Sequence, residues 1–393
     1  MKSIQIEKIT HSHLNDAAED SIHFNTTWDT LRKIEKKFAI SESGIEALAF
    51  KSIRSARYTL IKNIVGERKN ILTFHLGKWE IEAFKRNSIS LFFANDYSET
   101  SLKDIITSNN VGVIYLETID SLTLAVEDLS HIIEQAHQSL IPVVIDNSAG
   151  GLGKIFNPLE IGADYVITSV KNYSMFNNTA IGAFVVQGLN SWPKKDLFQM
   201  LIQKSLLEEL KEQREKNITP QFLITDITEE LIENQLNREE EKYKDYSAVA
   251  FQLAKWLNQL ETVMEVGYPG LKSSISNLNA ERFSKGGYGN RLKFNLWDDK
   301  FSFGLLKGFF VAGKPEGLVI EVNSTNREFL IEIKVNNLQI VLEYFQQVFT
   351  QLNNEVNYRL YLSKQLELEQ ALQKFLSFGV PIALIKEKLT NQV

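Results

Sequence analysis

Asp146, Ser169 and Lys171 are polar residues set at the ends of short apolar runs, where a fold can present them to a ligand. An aspartate accepts hydrogen bonds and holds a proton or a cation. A serine hydroxyl and a lysine ammonium both suit an anion, and a lysine amine freed of its proton is a nucleophile. Asn172, beside Lys171, offers hydrogen bonds but no amine. Upstream, Ser52 supplies another hydroxyl, and Arg54 is a cation able to ligate a phosphate directly, with a surface arginine opening a helix as its plainer reading.

Short apolar runs must position these groups. Pro142 to Ile145 ends at Asp146, Tyr165 to Thr168 ends at Ser169-Val170-Lys171-Asn172-Tyr173, and a third run spans Ile181 to Val186. Ala47 to Phe50 precedes Ser52, and Val113 to Glu117 is a fifth run. Continuous runs of this length bounded by turn residues predict strands buried on both faces. In such sheets the ligand crevice lies outside the carboxyl ends of the strands, where Asp146 and Ser169 to Asn172 fall.

At 393 residues the chain is long enough for two domains with sizeable cores. Hydrophobic residues at 44% and charged residues at 23% are ordinary for a soluble protein, and a net charge of -6 gives no reason to expect a nucleic-acid partner. No apolar run is long enough for a membrane span, and the first residues carry no signal-peptide core, so cytoplasm is the expected location. The absence of cysteine removes disulfides, thiol nucleophiles and thiolate metal sites. His11 and His13 have ligand-like spacing but no evident third ligand, which favours a solvated arm. His131 and His137 read as surface groups of an amphipathic helix.

The stretch from Ile141 to Gln187 closely resembles the pyridoxal-phosphate (PLP) enzymes of cysteine and methionine metabolism, the cystathionine synthases and lyases and the O-acylhomoserine sulfhydrylases. Gly162-Ala163-Asp164, Ser169, Tyr173 and Ile181-Gly182 match the family pattern in register. Asp146-Asn147-Ser148 matches its strand-end Asp-Asn-Thr, allowing a small insertion after it. Glu117-Thr118, Tyr268-Pro269-Gly270-Leu271 and Gly287-Tyr288-Gly289 extend the resemblance over about residues 20 to 350. It implies a PLP-dependent transferase fold of aminotransferase-like type, α/β with a mostly parallel sheet and a smaller C-terminal α/β domain. It also implies that Asp146 would hold the pyridine nitrogen and that Ser52 and Ser169 would contact the phosphate.

The departures fall on the chemistry. The family's Schiff-base lysine position is occupied by Asn172, and Lys171 stands one place earlier, at the family's phosphate-contacting Thr. Successive side chains on an extended strand point to opposite faces, so that shift aims the amine away from a cofactor unless a bulge re-aims it. The phosphate-loop glycine becomes Ile53, the ring-stacking tyrosine becomes Leu76, and the asparagine on the ring hydroxyl becomes Ser121. The substrate-carboxylate arginine falls near Leu330, and two phosphate contacts from the neighbouring subunit become Asp20 and Ile22.

The expected organisation is an arm over 1–25, a large PLP-fold domain over 26–240 and a small domain over 241–393. Helices are expected over Thr27 to Phe38, Tyr246 to Leu260, Leu338 to Leu352 and Ser363 to Phe375. The expected function is that of a non-catalytic relative acting as scaffold, regulator or inactive subunit, with PLP binding in question. Its assembly would be a homo-oligomer or a heteromer with a catalytic paralogue. The alternatives are a C–S lyase or γ-replacement enzyme using Lys171, and a binder of another anionic metabolite through Arg54, Ser169 and Lys171.

Overall fold

The structure is a computed structural model. It describes residues 28–377 except 75, 95–98, 172, 174–175, 177–180, 190–204, 218–228, 297–307, 309, 311 and 324–327. The N-terminal arm, with His11, His13, Asp20 and Ile22, therefore lies outside the described residues, as does Asn172.

The large domain begins with α1 (28–41), β1 (Glu46–Phe50), α2 (Ile53–Ile64), β2 (Asn70–Thr73), α3 (Lys78–Arg86), β3 (Ser90–Phe93) and α4 (Glu99–Ser108). It continues through β4 (Val113–Glu117), α5 (Leu129–Gln138), β5 (Val143–Asp146), α6 (Pro158–Ile161), β6 (Tyr165–Ser169), β7 (Ala183–Gln187) and α7 (Leu206–Asn217). The long α8 (Glu229–Leu257) leads to β8 (Val263–Gly267), α9 (Asn277–Phe283), β9 (Arg291–Leu296), β10 (Leu318–Asn323), β11 (Glu328–Ile333) and α10 (Leu338–Ser377).

Seven strands form one sheet in the order β1-β7-β6-β5-β4-β2-β3. β3, β2, β4, β5 and β6 run parallel, while β7 is antiparallel to both of its neighbours. The expected mostly parallel α/β sheet is what the structure has. Alternation along β5 explains its unbroken apolar run. Val143 and Ile145 join the core under α1 and α5, whereas Val144 joins the opposite core with Leu60 and Ile61 of α2. Both faces are covered, so no position on the strand is left to a solvated side chain.

The smaller sheet is antiparallel, in the order β10-β11-β9-β8, and packs its apolar face against α8 and α10. The helix expected from Tyr246 begins earlier and takes in the Glu- and Lys-rich stretch before it, forming the single helix α8. No glycine or proline interrupts Glu229–Leu257, so nothing stops the helix. Leu236 and Tyr243 pack in the large-domain core and Val249 to Leu257 in the small-domain core, so the expected boundary at 240 falls inside a helix. The two helices expected after residue 338 are likewise one, α10. Asn353, Asn354 and Asn357 are weak helix formers, not breakers.

Two buried carboxylates fix α1 to the sheet. Glu35 takes the Ala49 N–H at 2.8 Å and the Arg214 Nη1 at 2.5 Å, with Lys211 Nζ at 3.8 Å. Glu42 is fully buried at the end of α1. It accepts hydrogen bonds from Thr168 Oγ1 at 2.7 Å and Asn147 Nδ2 at 2.9 Å. Burial pushes its carboxyl up to about 7 against the two hydrogen bonds, and Glu240 and Asp146 add to the rise.

Two expectations follow from these groups. Arg214→Met leaves buried Glu35 with only Lys211 at 3.8 Å as its cation and should cost about 3 kcal/mol in urea unfolding, whereas Arg32→Met, at the exposed Arg32–Glu215 pair, should cost less than about 1 kcal/mol. Glu42 has a raised pKa in the fold, so its contribution is fully present below 4.5 and is lost as pH rises to about 7. Glu42→Gln removes that titration, so its stability relative to wild type should improve by about 2 kcal/mol between pH 5 and pH 8.

Candidate functional site

β5 delivers Asp146 to the carboxyl edge of the large sheet, where its carboxylate is buried. Its Oδ2 accepts from Arg57 Nη2 at 3.0 Å and from the Tyr115 hydroxyl at 3.2 Å. Its Oδ1 accepts from the Ser148 backbone N–H at 2.9 Å and the Ser148 hydroxyl at 2.5 Å. A carboxylate offers about four acceptor positions, and this one meets four donors from its own chain.

Arg57 is 9% exposed and projects from α2 between Ala56, Leu60 and Ile61. Its Nη1 reaches Glu80 Oε1 at 2.9 Å, and its guanidinium carbon lies 4.9 Å from the Tyr115 ring centroid. Glu80 lies in the first turn of α3, and Gly77 makes room for it, because a Cβ there would collide with the Glu80 carboxylate. Burial works against the Arg57 charge, but Tyr115, Asp146 and Glu80 more than offset it, so its pKa lies above the usual arginine value. Burial raises the Tyr115 phenol well above its usual value, and Asp146 raises it further. Sequence reasoning missed Arg57, Tyr115 and Glu80. One signal was available, an arginine on the apolar stripe of an amphipathic helix, which demands a buried acid.

Ser52 and Ser169 converge at the other end of the site. β1 and β6 run parallel with β7 between them, and Gly182 at the start of β7 lies against the backbone of Lys51 and Ser52. Gly182 N–H donates to Phe50 O at 2.8 Å, and its carbonyl accepts from Val170 N–H at 3.1 Å. A side chain at 182 would run into the Lys51 carbonyl, so glycine permits this approach.

Both serines have local partners. Ser52 caps α2, accepting from the Ser55 N–H at 3.1 Å and contacting the Ser55 hydroxyl at 3.1 Å. Ser169 N–H donates to the Ser148 hydroxyl at 2.9 Å, and its own hydroxyl makes a long contact of 3.5 Å to Gly182 O. Arg54 is exposed on the first turn of α2, and Lys171 is exposed on the turn after β6. Leu76, which the resemblance aligns with a ring-stacking tyrosine, is buried among the core side chains facing α2. His137, expected at the surface, is instead half-buried with its Nε2 2.8 Å from Asp164 Oδ2.

A cavity of about 270 Å³ opens between the two domains. Glu117, Ile119, Ser121, Asp146, Ser148 and Ala149 line it from the large domain, Asn290, Arg291 and Glu332 from the small domain, and Tyr243 from α8. Ser52, Arg54, Ser169 and Lys171 are not among the lining residues. The wall carries three carboxylates and one guanidinium, a poor charge balance for a phosphorylated ligand. A wider hollow of about 530 Å³ lies between α10 and Gly308, Ala312 and Gly313, and the described residues that line it carry no charged side chain. Among the described residues no cluster of three or more His, Cys, Asp or Glu could hold a metal, and no helix is long and apolar enough to cross a membrane.

The geometry has a family. The profile described as "Cys/Met metabolism PLP-dependent enzyme" matches residues 23–306. The homocysteine/cysteine synthase of Saccharomyces cerevisiae is 27% identical over 294 residues, covering 68% of this chain and 65% of the yeast enzyme. The O-acetyl-L-homoserine sulfhydrylase of Corynebacterium glutamicum is 26% identical over 185 residues, 45% of this chain and 42% of that protein. The first three relatives are each matched over 65% of their own length. In fold, the chain superimposes on cystathionine gamma synthase from Xanthomonas oryzae pv. oryzae, solved with aminoacrylate and cysteine, with a TM-score of 0.65 at 18% identity over 83% of this chain and 86% of that one. Methionine gamma lyase CalE6 from Micromonospora echinospora gives a TM-score of 0.67 at 16% identity over 82% and 86%. A profile match over more than half of the chain, on a fold of that architecture, makes this protein a member of the Cys/Met metabolism PLP-dependent enzyme family.

Proposed function

We propose that this chain is a non-catalytic member of its family that keeps the fold and acts as a scaffold, a regulator or the inactive subunit of an assembly. One observation carries the reading. Lys171, the lysine beside the family's Schiff-base position, is exposed on the turn after β6 and is not part of the cavity wall. PLP chemistry needs an amine at the reacting carbon and an acid at the ring nitrogen.

The remaining contacts support the same reading. The hydroxyls of Ser52 and Ser169 lie against Ser55 and Gly182, Ile53 stands where the phosphate loop has glycine, and Asp146 already meets four donors. These residues do not fit the cofactor. A retained fold without its chemistry leaves association as the role, with a second copy or with a catalytically complete paralogue.

The test is a visible spectrum of purified protein incubated with excess PLP and dialysed, followed by borohydride reduction and peptide mapping. The expected outcome is folded protein with no retained imine band and no reduced adduct. A stable adduct on Lys171 would overturn the reading in favour of a PLP-dependent C–S lyase or γ-replacement enzyme.

A further inference from the structure

We propose that Arg57 is a built-in counter-ion, supplying from within the chain the positive charge that a pyridine ring would bring to Asp146 and so keeping such a ring from engaging it. This rests on the non-catalytic reading above and gives it a physical cause.

The argument starts from what Asp146 would have to offer. An acid that keeps a pyridine nitrogen protonated needs an acceptor position facing the ring N–H. Tyr115, Ser148 and Arg57 take all four positions, at 2.5 to 3.2 Å. The Tyr115 and Ser148 bonds are neutral and can yield to a better donor. The Arg57 bond cannot yield cheaply, because the guanidinium is buried, always charged and bridged to a second buried acid, Glu80. Pulling it away would leave two carboxylates facing each other out of water.

Charge points the same way. Asp146, Glu80 and Arg57 sum to one negative charge, close to balance for a buried group. A protonated ring arriving at Asp146 would stand beside an existing cation and meet a repulsion that an unpaired carboxylate would not present. The guanidinium also has no second use. Its Nε meets no partner among the described residues, and its Nη atoms go to Glu80 and Asp146.

The experiment compares full-length wild type with Arg57→Met/Glu80→Gln, which removes the cation together with the acid it bridges. The probes are PLP and unphosphorylated pyridoxal, which separates ring binding from phosphate binding. Binding is read by absorbance titration and by the shift in unfolding temperature, with folding checked by circular dichroism.

Wild type is expected to bind neither probe saturably. The double variant should bind pyridoxal at least about tenfold more tightly than wild type, a gain of about 1.4 kcal/mol, and be stabilised against heat by it. Should the variant not fold alone, refolding in excess pyridoxal or ethylguanidinium should recover folded protein, because either cation can sit on Asp146. A folded variant that binds pyridoxal no better than wild type overturns the proposal, as does an unfolded one that neither cation recovers. Reversible pyridoxal binding by wild type without an imine overturns the Arg57 proposal alone, whereas a reduced adduct on Lys171 of wild type overturns the non-catalytic reading itself.

Discussion

A guanidinium enclosed by two carboxylates and the face of a tyrosine sets the terms for the centre of this molecule. Charge out of water has to be matched, and Arg57 is matched by Asp146 and Glu80 from two other elements. The match ties α2, α3 and β5 together at the carboxyl edge of the sheet. Ser148 then turns back onto Asp146 and also receives the Ser169 N–H, so the loop after β5 is ordered by the same acid. A single ion-pair cluster thus organises the carboxyl edge of the sheet, beside the cavity that Asp146 and Ser148 help to line.

The chain keeps the family's architecture. The strand order, the glycine that lets β7 approach β1 and the acid at the end of β5 all serve packing and backbone geometry. Ile53, Leu76 and Ser121 stand at positions that the resemblance aligns with a phosphate-loop glycine, a ring-stacking tyrosine and a hydroxyl-binding asparagine. Of these, Leu76 is packed in the core.

The apolar runs predicted β4, β5, β6 and β7 because their period and length allow only one kind of burial, and the strand-end position of Asp146 followed from its place after Ile145. Helix limits were harder to read. The dense Glu and Lys before Lys244 suit a solvated helix face, but nothing in the sequence shows that this helix continues into the one expected from Tyr246, and α8 runs straight through. The partners of Asp146 were out of reach of local pattern, because Arg57, Glu80 and Tyr115 come from three other elements and meet only in the fold. Glu42 was missed for the same reason. Its partners Thr168 and Asn147 lie more than a hundred residues away.

The unbroken course of α8 has a mechanical consequence. At about 1.5 Å per residue a helix of this length is a rod of roughly 40 Å, with its first half in one core and its second half in the other. A chain that passes between domains through a loop lets them swing about that loop. Here any swing would have to bend a hydrogen-bonded cylinder that contains neither glycine nor proline to act as an elbow. The two sheets are joined as by a strut, and Tyr243, which sits on that strut and walls the cavity, reaches across it to Asn290.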